Sequence, residues 1–515
     1  MKQMIRYNNS SSIILLLVIL AMVLMAVVIQ TRLLLHWDVS FLMEATQRFL
    51  AGGSYTGNFF ETNPPMILYL YIPPVLLMEY LGWSKLFALK SSVFLLSFIS
   101  VYYCNYFANQ LFPKQQELRV VLLSTIAFVF LLLPGHEFGQ REHLLTILVM
   151  PYLFLVALRM RGGEASVLNK VVVGLMAGLG FTIKPFFMVP LIVVELYYIW
   201  IHRNVFACIR TEVIAIICVG VFYLASVFWF FPHYISEVLP ILLRLYYPGF
   251  KEPFSSLFTN VIVYSCIVFC LFFLVRKNFN SDALYNIFAC ALFGYLAMYL
   301  IEGTSWYYHS LPAFSMAIIL CVLVFYFYLK QMKNRHFINV IYFVLAFYLL
   351  MYPLAHYCFK TFFTISSMSE RWRTDAVSFL KKYPPHTTWD LISTTAILLP
   401  IGDQGRASYI SRFPNYWWLP GIVNLQKNAS NQVDQQKLVS DLDYFVGLVV
   451  EDIKQHYPRL IFVDANPYNT QLNSKNIDYI ELFSRHPDFK HIWQQYQHVA
   501  SLEWVEVYEY INRPI

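Results

Sequence analysis

The sequence predicts a polytopic α-helical membrane protein with about eleven transmembrane helices and a C-terminal soluble α/β domain. Of its 515 residues, 58% are hydrophobic and only 13% are charged, and the mean hydropathy is +0.54. A soluble protein of this size needs more polar surface than that. Apolar runs of spanning length recur as far as Cys358, after which the sequence turns polar.

The first apolar run, residues 12–35, is the clearest. It follows Lys2 and Arg6, as in a signal peptide, but it is too long for one, and no small-residue cleavage site closes it. We therefore expect a retained first helix with a cytoplasmic N-terminus. Further spans are predicted at 87–111, 119–134, 143–158, 171–183, 186–201, 211–231, 257–275, 283–301, 310–329 and 337–358.

Positive charges in the connecting loops predict the orientation of these spans. Alternate loops are rich in Lys and Arg and are predicted to be cytoplasmic, whereas the loops between them are predicted to be external. Residues 64–82 are also apolar, but two Pro-Pro pairs and Glu79 argue against a regular span. We expect a surface-lying or re-entrant juxtamembrane helix there, inside an external loop at 36–86.

The predicted domains are a transmembrane module, 1–359, and an external α/β domain, 360–515. In the second domain, residues 370–383, 432–456 and 478–497 have helical patterning. Residues 388–394, 460–464 and 503–510 are predicted strands.

The net charge of +7 is largely explained by the basic cytoplasmic loops, and no basic run of the kind that binds nucleic acid is present. All eight cysteines lie in or beside apolar spans, so no disulfide is expected in the C-terminal domain. There is no CxxC pair, Walker motif, GxGxxG or GxSxG.

Ionisable side chains cluster in the predicted external loops, close to the ends of the spans. Ionisable residues at membrane depth cost free energy and usually have a function. The mixture of carboxylates and cations suits a reaction in which a base deprotonates a hydroxyl while cations stabilise a departing phosphate. Asp38 is the candidate base. The candidates for binding phosphate are Arg141, Lys184 and His309. Glu142 is the second candidate catalytic residue, for orienting an acceptor or holding a cation. The candidates for orienting an acceptor or contacting substrate are Glu61, Asn63, Trp306, Tyr308 and, in the C-terminal domain, Arg412.

Structural interpretations of the same residues stay open. Asp38 is also explained as a solvated loop residue, and Arg141 and Glu142 as residues that pair with other loop charges. Lys184 is also explained as a side chain that snorkels to the interface. The aromatic run Trp306 to Tyr308 is equally typical of membrane anchors.

A divalent cation is a candidate cofactor, but the metal motif is incomplete. His136-Glu137 begins like HExxH, yet residue 140 is Gln, so a zincin site is not predicted. His136, Glu137 and His143, together with Glu142, remain candidates for a different divalent site.

These segments, over residues 12–310, resemble the GT-C glycosyltransferases that take sugars from polyprenyl-phosphate carriers, such as the aminoarabinose transferases and protein O-mannosyltransferases. The resemblance rests on Asp38 after the first span, on Asn63-Pro64-Pro65 entering a juxtamembrane helix, on Arg141-Glu142 opening a later span, and on Lys184-Pro185 between short spans. Two features depart from it: Asp38 has no acidic neighbour, and Arg141 is followed at once by Glu142.

The resemblance implies a hexosyl- or pentosyltransferase in a bacterial inner membrane, with a periplasmic C-terminal domain. Its partners would be a polyprenyl-phosphate-linked sugar, membrane lipids and an envelope glycan, lipid or protein acceptor. It implies that Asp38 acts as the base in a direct displacement with inversion. The alternatives are a transporter or flippase for lipid-linked sugars and a ligase of whole glycans. Sugar and acceptor are not assigned.

Overall fold

The computed structural model describes residues 2–275, 283–331, 374–396, 398–427, 432–466, 472 and 477–511. The predicted span 337–358 lies outside these residues. The chain divides into two compact units. Unit 1 comprises Met1–Leu34, Gly82–Ser226 and Glu252–Phe363, and unit 2 comprises Leu35–Leu81, Val227–Lys251 and Thr364–Ile515.

Helices account for nearly all of the regular structure up to residue 331. In chain order they are α1 (Lys2–Arg32), α2 (Trp37–Leu50), α3 (Met66–Leu81), α4 (Lys85–Leu111), α5 (Gln116–Leu131), α6 (Arg141–Met160), α7 (Val167–Phe181), α8 (Met188–His202), α9 (Thr211–Phe230), α10 (Leu239–Ile241), α11 (Tyr247–Phe250), α12 (Asn260–Val275), α13 (Ala283–Glu302) and α14 (Leu311–Gln331). Short π-helical segments, Tyr234–Val238 and Leu242–Tyr246, flank α10.

The predicted polytopic architecture is confirmed. Within the described residues, seven helices are long and apolar enough to cross a membrane. Every predicted span up to residue 329 coincides with a helix of unit 1, or, for α9, with a helix that begins in unit 1. The segment predicted to be juxtamembrane forms α3, a helix of 16 residues with Pro73 and Pro74 inside it, and it belongs to unit 2.

Helix α6 is the centre of unit 1. It packs against α4, α7, α13 and α14, and every residue from Arg141 to Leu158 is buried. A helix that is apolar on all sides is expected in a core of this kind. The polar exceptions, Arg141, Glu142 and His143, stand together in its first turn, so one end of the core carries charge.

Small residues let α7 pass close to its neighbours. A Cβ atom on Gly174 would lie 2.5 Å from the carbonyl oxygen of Glu212, and one on Gly178 would lie 2.8 Å from Cβ of Val219. Gly174 and Gly178 are four residues apart and therefore share one face of α7. This spacing of small residues is typical of closely packed membrane helices, and it places α9 directly against α7.

The C-terminal part of unit 2 is the predicted α/β domain. Its helices are α15 (Leu399–Gly405), α16 (Trp418–Gln426), α17 (Gln432–His456), α18 (Tyr479–Phe483) and α19 (Pro487–Trp493). Its strands are β1 (Thr388–Ile392), β2 (Ser408–Tyr409), β3 (Leu460–Asp464), β4 (Tyr496–Leu502) and β5 (Val505–Tyr510). The sheet order is β2-β1-β3-β5-β4, with β1 parallel to β2 and β3, and β5 antiparallel to β3 and β4.

The predictions of α17 and β3 are confirmed, but the prediction of one helix over 478–497 is wrong. Two short helices occupy most of that stretch, and the second begins at Pro487, which has no amide hydrogen to continue the first. The residues that follow form β4, which pairs with β5. The backbone groups of β4 bond to β5, which lies later in the chain. The helical spacing of apolar residues carries no information about such a pairing.

Unit 2 joins segments that are far apart in sequence. From α2, the Arg48 guanidinium donates to the carbonyl oxygens of Ser411 (2.8 Å) and Tyr409 (2.6 Å). The Ser40 hydroxyl donates to the Asp403 carboxylate at 2.6 Å. The external loop, assigned from sequence to the transmembrane module, therefore packs with the C-terminal domain, because these long-range contacts leave no local signature in the sequence.

Candidate functional site

Four side chains from separate helix ends meet in unit 1. The ammonium nitrogen of Lys184 lies 2.6 Å from Oε1 of Glu142, 3.3 Å from Oε1 of Glu302 and 3.3 Å from Nε2 of His309. Glu142 belongs to the first turn of α6, Lys184 lies between α7 and α8, Glu302 ends α13, and His309 precedes α14. We call these four residues the Lys184 cluster.

The local sequence around His143 fixes the start of α6. The backbone N–H of Gly139 donates to Nδ1 of His143 (3.0 Å), and the opposite ring nitrogen bonds the carbonyl oxygen of Phe130 at 2.8 Å. Gly139 has a φ of +91°, a conformation that glycine adopts without strain. The turn before α6 is thus held in place, and with it the position of Glu142.

A second glycine positions Glu302. Gly303 has a φ of +68° and ends α13 directly after that carboxylate. The chain then forms a short 3₁₀ helix, Tyr307–Ser310, and Pro312 lies in the first turn of α14. This turn returns His309 to the side of Glu302.

The hydrogen bonds define the form of His309. Because Lys184 donates to Nε2, the ring proton is on Nδ1, which lies 2.5 Å from the hydroxyl of Thr304. His309 is therefore a neutral acceptor toward Lys184. The three hydrogens of the ammonium have three acceptors, two from carboxylates and one from an imidazole.

The cluster is shielded from solvent. The side chains of Glu142, Glu302 and Lys184 are 0%, 3% and 10% exposed. Lys184 also lies over the rings of Phe187 and Tyr308, 5.5 and 5.8 Å from their centroids. These contacts favour a fixed, paired ammonium over a side chain that snorkels to the interface.

Arg141 and the aromatic run lie beside the cluster. The guanidinium carbon of Arg141 is 5.8 Å from the centroid of the Tyr308 ring, and the Arg141 side chain is buried. Trp306 stacks on Tyr308, with ring centroids 5.9 Å apart. The ring of Tyr308 therefore contacts two cations, Arg141 and Lys184.

Four predicted site residues belong to unit 2, and three of them, Asp38, Glu61 and Asn63, lie in its first segment, Leu35–Leu81. Asp38 is buried in the first turn of α2, and its backbone N–H donates to the ring of His36, the N-cap residue. A carboxylate in this position is favoured by the helix dipole. Oε1 of Glu61 accepts from the backbone N–H of Asn63 at 2.8 Å and also from its side-chain amide. Glu61 and Asn63 therefore form one locally closed turn before α3.

The contacts of Arg412 do not support its predicted role in substrate binding. Its guanidinium donates to Asp452 (2.8 Å), Glu451 (2.7 Å) and the carbonyl oxygen of Thr56 (2.7 Å). The side chain is 5% exposed. These bonds take up most of its donors, so Arg412 ties the external loop to α17. The neighbouring aromatics are also core residues: Trp418 stacks on Phe445 at 5.1 Å.

Of the predicted metal candidates, His143 has other partners, whereas His136 and Glu137 each offer a ligand atom to one possible metal group. Both ring nitrogens of His143 bond backbone atoms, which leaves no lone pair for a metal. Burial, together with the charge of Lys90, lowers the pKa of His136 to about 4, so its ring is neutral. A different group, Glu142, Glu302 and His309, has one ligand atom from each residue within 4.8 Å of the others. Lys184 contacts all three of these residues.

Glu302 was not among the predicted site residues, and a second buried network was not predicted either. Glu195, the middle residue of α8, accepts from the hydroxyl of Tyr152 and from Arg210. The Arg210 guanidinium lies over the ring of Tyr198 at 3.6 Å, and its Nε is 3.0 Å from Glu212. An acidic residue at the centre of an apolar helix was the available signal, because such a residue requires a partner.

Comparison with solved structures identifies the fold. The chain is similar to the crystal structure of ArnT from Cupriavidus metallidurans bound to undecaprenyl phosphate, with a TM-score of 0.54 and 12% identity over 98% of this chain and 97% of that one. The apo structure of the same protein matches with a TM-score of 0.54 and 14% identity, over 95% and 97% of the two chains. No protein-family model and no curated protein matches the sequence. The chain is a multi-pass membrane protein with an ArnT-like GT-C fold.

Proposed function

We propose that this protein is a membrane glycosyltransferase that moves one sugar from a polyprenyl-phosphate carrier to an envelope acceptor. The observation that carries the proposal is a buried pair of cations, Arg141 and Lys184, at helix ends of a fold shared with a protein crystallised with undecaprenyl phosphate. The phosphate of a lipid carrier lies at the membrane surface, where helix ends also lie. Two cations there would stabilise the departing phosphate.

The hydrogen bonds of the cluster support different roles for the two cations. Glu142, Glu302 and the neutral His309 all accept hydrogen bonds from Lys184. The hydrogens of Lys184 already have acceptors, so this residue acts as a fixed positive charge. Arg141, with its planar guanidinium, is the better partner for phosphate oxygens. His309 and Glu142 hold Lys184, and Trp306 and Tyr308 supply an aromatic face for a sugar.

The proposed reaction is a direct displacement. The acceptor hydroxyl oxygen attacks the anomeric carbon, the bond from that carbon to the phosphate oxygen breaks, and polyprenyl phosphate leaves. Asp38 takes the hydroxyl proton as general base, and the anomeric configuration inverts. Asp38 is buried in the first turn of α2. Glu61 and Asn63, before α3, are proposed contacts for the acceptor.

We place the protein in the bacterial inner membrane, with the N-terminus in the cytoplasm and the C-terminal domain in the periplasm. The basic loops support this orientation. The sugar, a hexose or a pentose, and the acceptor, a glycan, lipid A or a protein hydroxyl, would be identified by mass spectrometry of envelope material from cells with and without the protein.

Asp38→Asn tests the catalytic proposal. We expect transfer to an added acceptor to fall by about 1,000-fold or more, because a general base and its charge are lost together. Membrane insertion and yield should be unchanged. Ser40→Ala, two residues along α2, is the matched control. Full transfer activity in Asp38→Asn would show that Asp38 is not the general base.

A second candidate, a flippase for lipid-linked sugars, is favoured by the network around Glu195, because transporters carry ionisable groups near the bilayer centre. Mixed detergent micelles distinguish the two functions. A transferase forms a glycosylated product there without any membrane, whereas a flippase forms none. Product formation that is unaffected by Glu195→Gln would reject the flippase.

A further inference from the structure

The Lys184 cluster has the composition of a metal site. Two carboxylates and one imidazole supply the ligand set, and their ligand atoms lie within 4.8 Å of one another. Carboxylate and imidazole are ligands that divalent manganese and zinc accept. All three of the facing groups are hydrogen-bond acceptors, since the ring proton of His309 points away toward Thr304.

The position facing all three ligands is occupied by an ammonium. Lys184 reaches Oε1 of Glu142, Oε1 of Glu302 and Nε2 of His309 at 2.6, 3.3 and 3.3 Å. Its three hydrogens match the three acceptors. Two carboxylates that are almost fully buried require a nearby cation, because an uncompensated buried charge is strongly destabilising.

Two carboxylate oxygen atoms of the ligand set remain for a metal ion to bind. Oε2 of Glu142 and Oε2 of Glu302 are buried and accept no hydrogen bond from the described residues. A metal ion commonly takes both oxygens of a carboxylate, whereas one ammonium has only three hydrogens to give. The two spare oxygens are therefore the atoms that a divalent ion would gain over Lys184.

We propose that Glu142, Glu302 and His309 form a divalent-cation site that Lys184 fills with its own ammonium, so that the wild-type chain holds a built-in cation in place of a metal. In this arrangement the three ligands position Lys184, and removing the lysine opens the site to a divalent ion. The inference goes beyond the proposed transfer reaction, since it concerns cation binding and holds for any sugar or acceptor.

Manganese binding to the full-length protein in detergent tests the proposal. Mn²⁺ is the chosen ion because it prefers oxygen and imidazole ligands, whereas the chain has eight cysteines that would bind softer ions. The electron paramagnetic resonance signal of free Mn²⁺ counts the bound ions without any activity assay. We expect Lys184→Ala to bind one Mn²⁺ per chain more than the wild type, at a site that depends on Glu302, with an affinity at least about 10-fold above any wild-type binding at that site.

Two further variants make the result specific. Lys184→Ala/Glu302→Gln should lose the gained site, since a ligand is removed. Lys170→Ala is the matched control, because Lys170 also pairs with a carboxylate, that of Glu164 at 3.4 Å, but at an exposed position without further ligands. It should gain no manganese site.

Each other outcome overturns the proposal. A wild-type site that disappears in Glu302→Gln would mean that Lys184 does not exclude the ion. A folded Lys184→Ala protein without a site would mean that the three ligands are not arranged for a metal. If Lys184→Ala is recovered poorly, Mn²⁺ in the growth medium should restore its folded yield, because the ion replaces the lost cation. No gain in yield would count against the proposal.

Discussion

The ammonium of Lys184 lies 2.6 Å from Glu142, although 42 positions separate the two residues in the chain. One lies just before α8 and the other in the first turn of α6, and both are buried. The pair therefore fixes two helix ends relative to each other in the core of unit 1. Neither charge is easily buried alone. Glu302 and His309 add two further acceptors for the same ammonium.

Arg141 is predicted to contribute most to binding of the carrier phosphate. Arg141→Ala should weaken binding of polyprenyl phosphate by about 100-fold, because a charge-assisted, bidentate contact is lost. Arg141→Lys should recover only part of the affinity, since the ammonium cannot bind two oxygens in one plane. Equilibrium binding of a fluorescent polyprenyl phosphate measures this. An unchanged affinity of Arg141→Ala for polyprenyl phosphate would show that other cations bind the carrier phosphate.

Arg412 is predicted to stabilise unit 2 and to leave substrate binding unaffected. Arg412→Ala leaves the buried Asp452 without its partner, which should cost about 3–5 kcal/mol of folding free energy. The same change should not alter the KM for donor in the protein that remains folded. Lys454→Ala is the control, because the Lys454–Asp488 pair is exposed and its loss should leave the melting temperature unchanged. If Arg412→Ala raises the KM for donor but keeps normal stability, Arg412 does bind substrate.

The sheet of unit 2 is predicted to become less stable as the pH rises. Burial, with a smaller contribution from Asp452, raises the pKa of Asp390 on β1 to about 7. The folded chain then keeps a proton that the unfolded chain loses near pH 4, so stability is greatest below about pH 4 and falls until about pH 7. Asp390→Asn removes the titrating group.

Hydrogen exchange of β1, corrected for the intrinsic pH dependence of exchange, measures this effect in the full-length protein. Wild-type protection should fall as the pH rises from about 4 to about 7 and should level off above that. Protection in Asp390→Asn should change less, with a remaining slope because burial also raises the pKa of Asp452. Identical profiles for the two proteins would exclude Asp390 as the source of the pH dependence.

Two glycine-to-alanine changes are predicted to have opposite effects. Gly178→Ala would place Cβ 2.8 Å from Cβ of Val219, so α7 and α9 must separate, which should lower stability by about 1–3 kcal/mol. Gly447 lies inside α17 with nothing within 4 Å of an added Cβ. Gly447→Ala should raise stability by about 0.5–1 kcal/mol, because alanine is the better helix former. Thermal unfolding in detergent would show both shifts, and equal effects would argue against close packing at Gly178.

The sequence by itself determined the fold class and the places where charge enters the membrane region. Apolar runs locate the spans because each must cover the thickness of a bilayer, and the change in composition after Cys358 marks the α/β domain. Arg141, Glu142, Lys184 and His309 were recognisable one by one, because charged or polar residues at span ends are rare enough to be noticed.

Only the tertiary structure decided which of these residues are partners. Glu302 was not among the predicted site residues, yet it shares Lys184 with Glu142, because α13 packs against α6. Arg412 was a candidate for contacting substrate, but its partners lie in α17 and in the external loop. The physical reason is the same in each case: hydrophobic periodicity specifies which face of a helix is buried, whereas the identity of a charged residue's partner depends on contacts between segments that are distant in the chain.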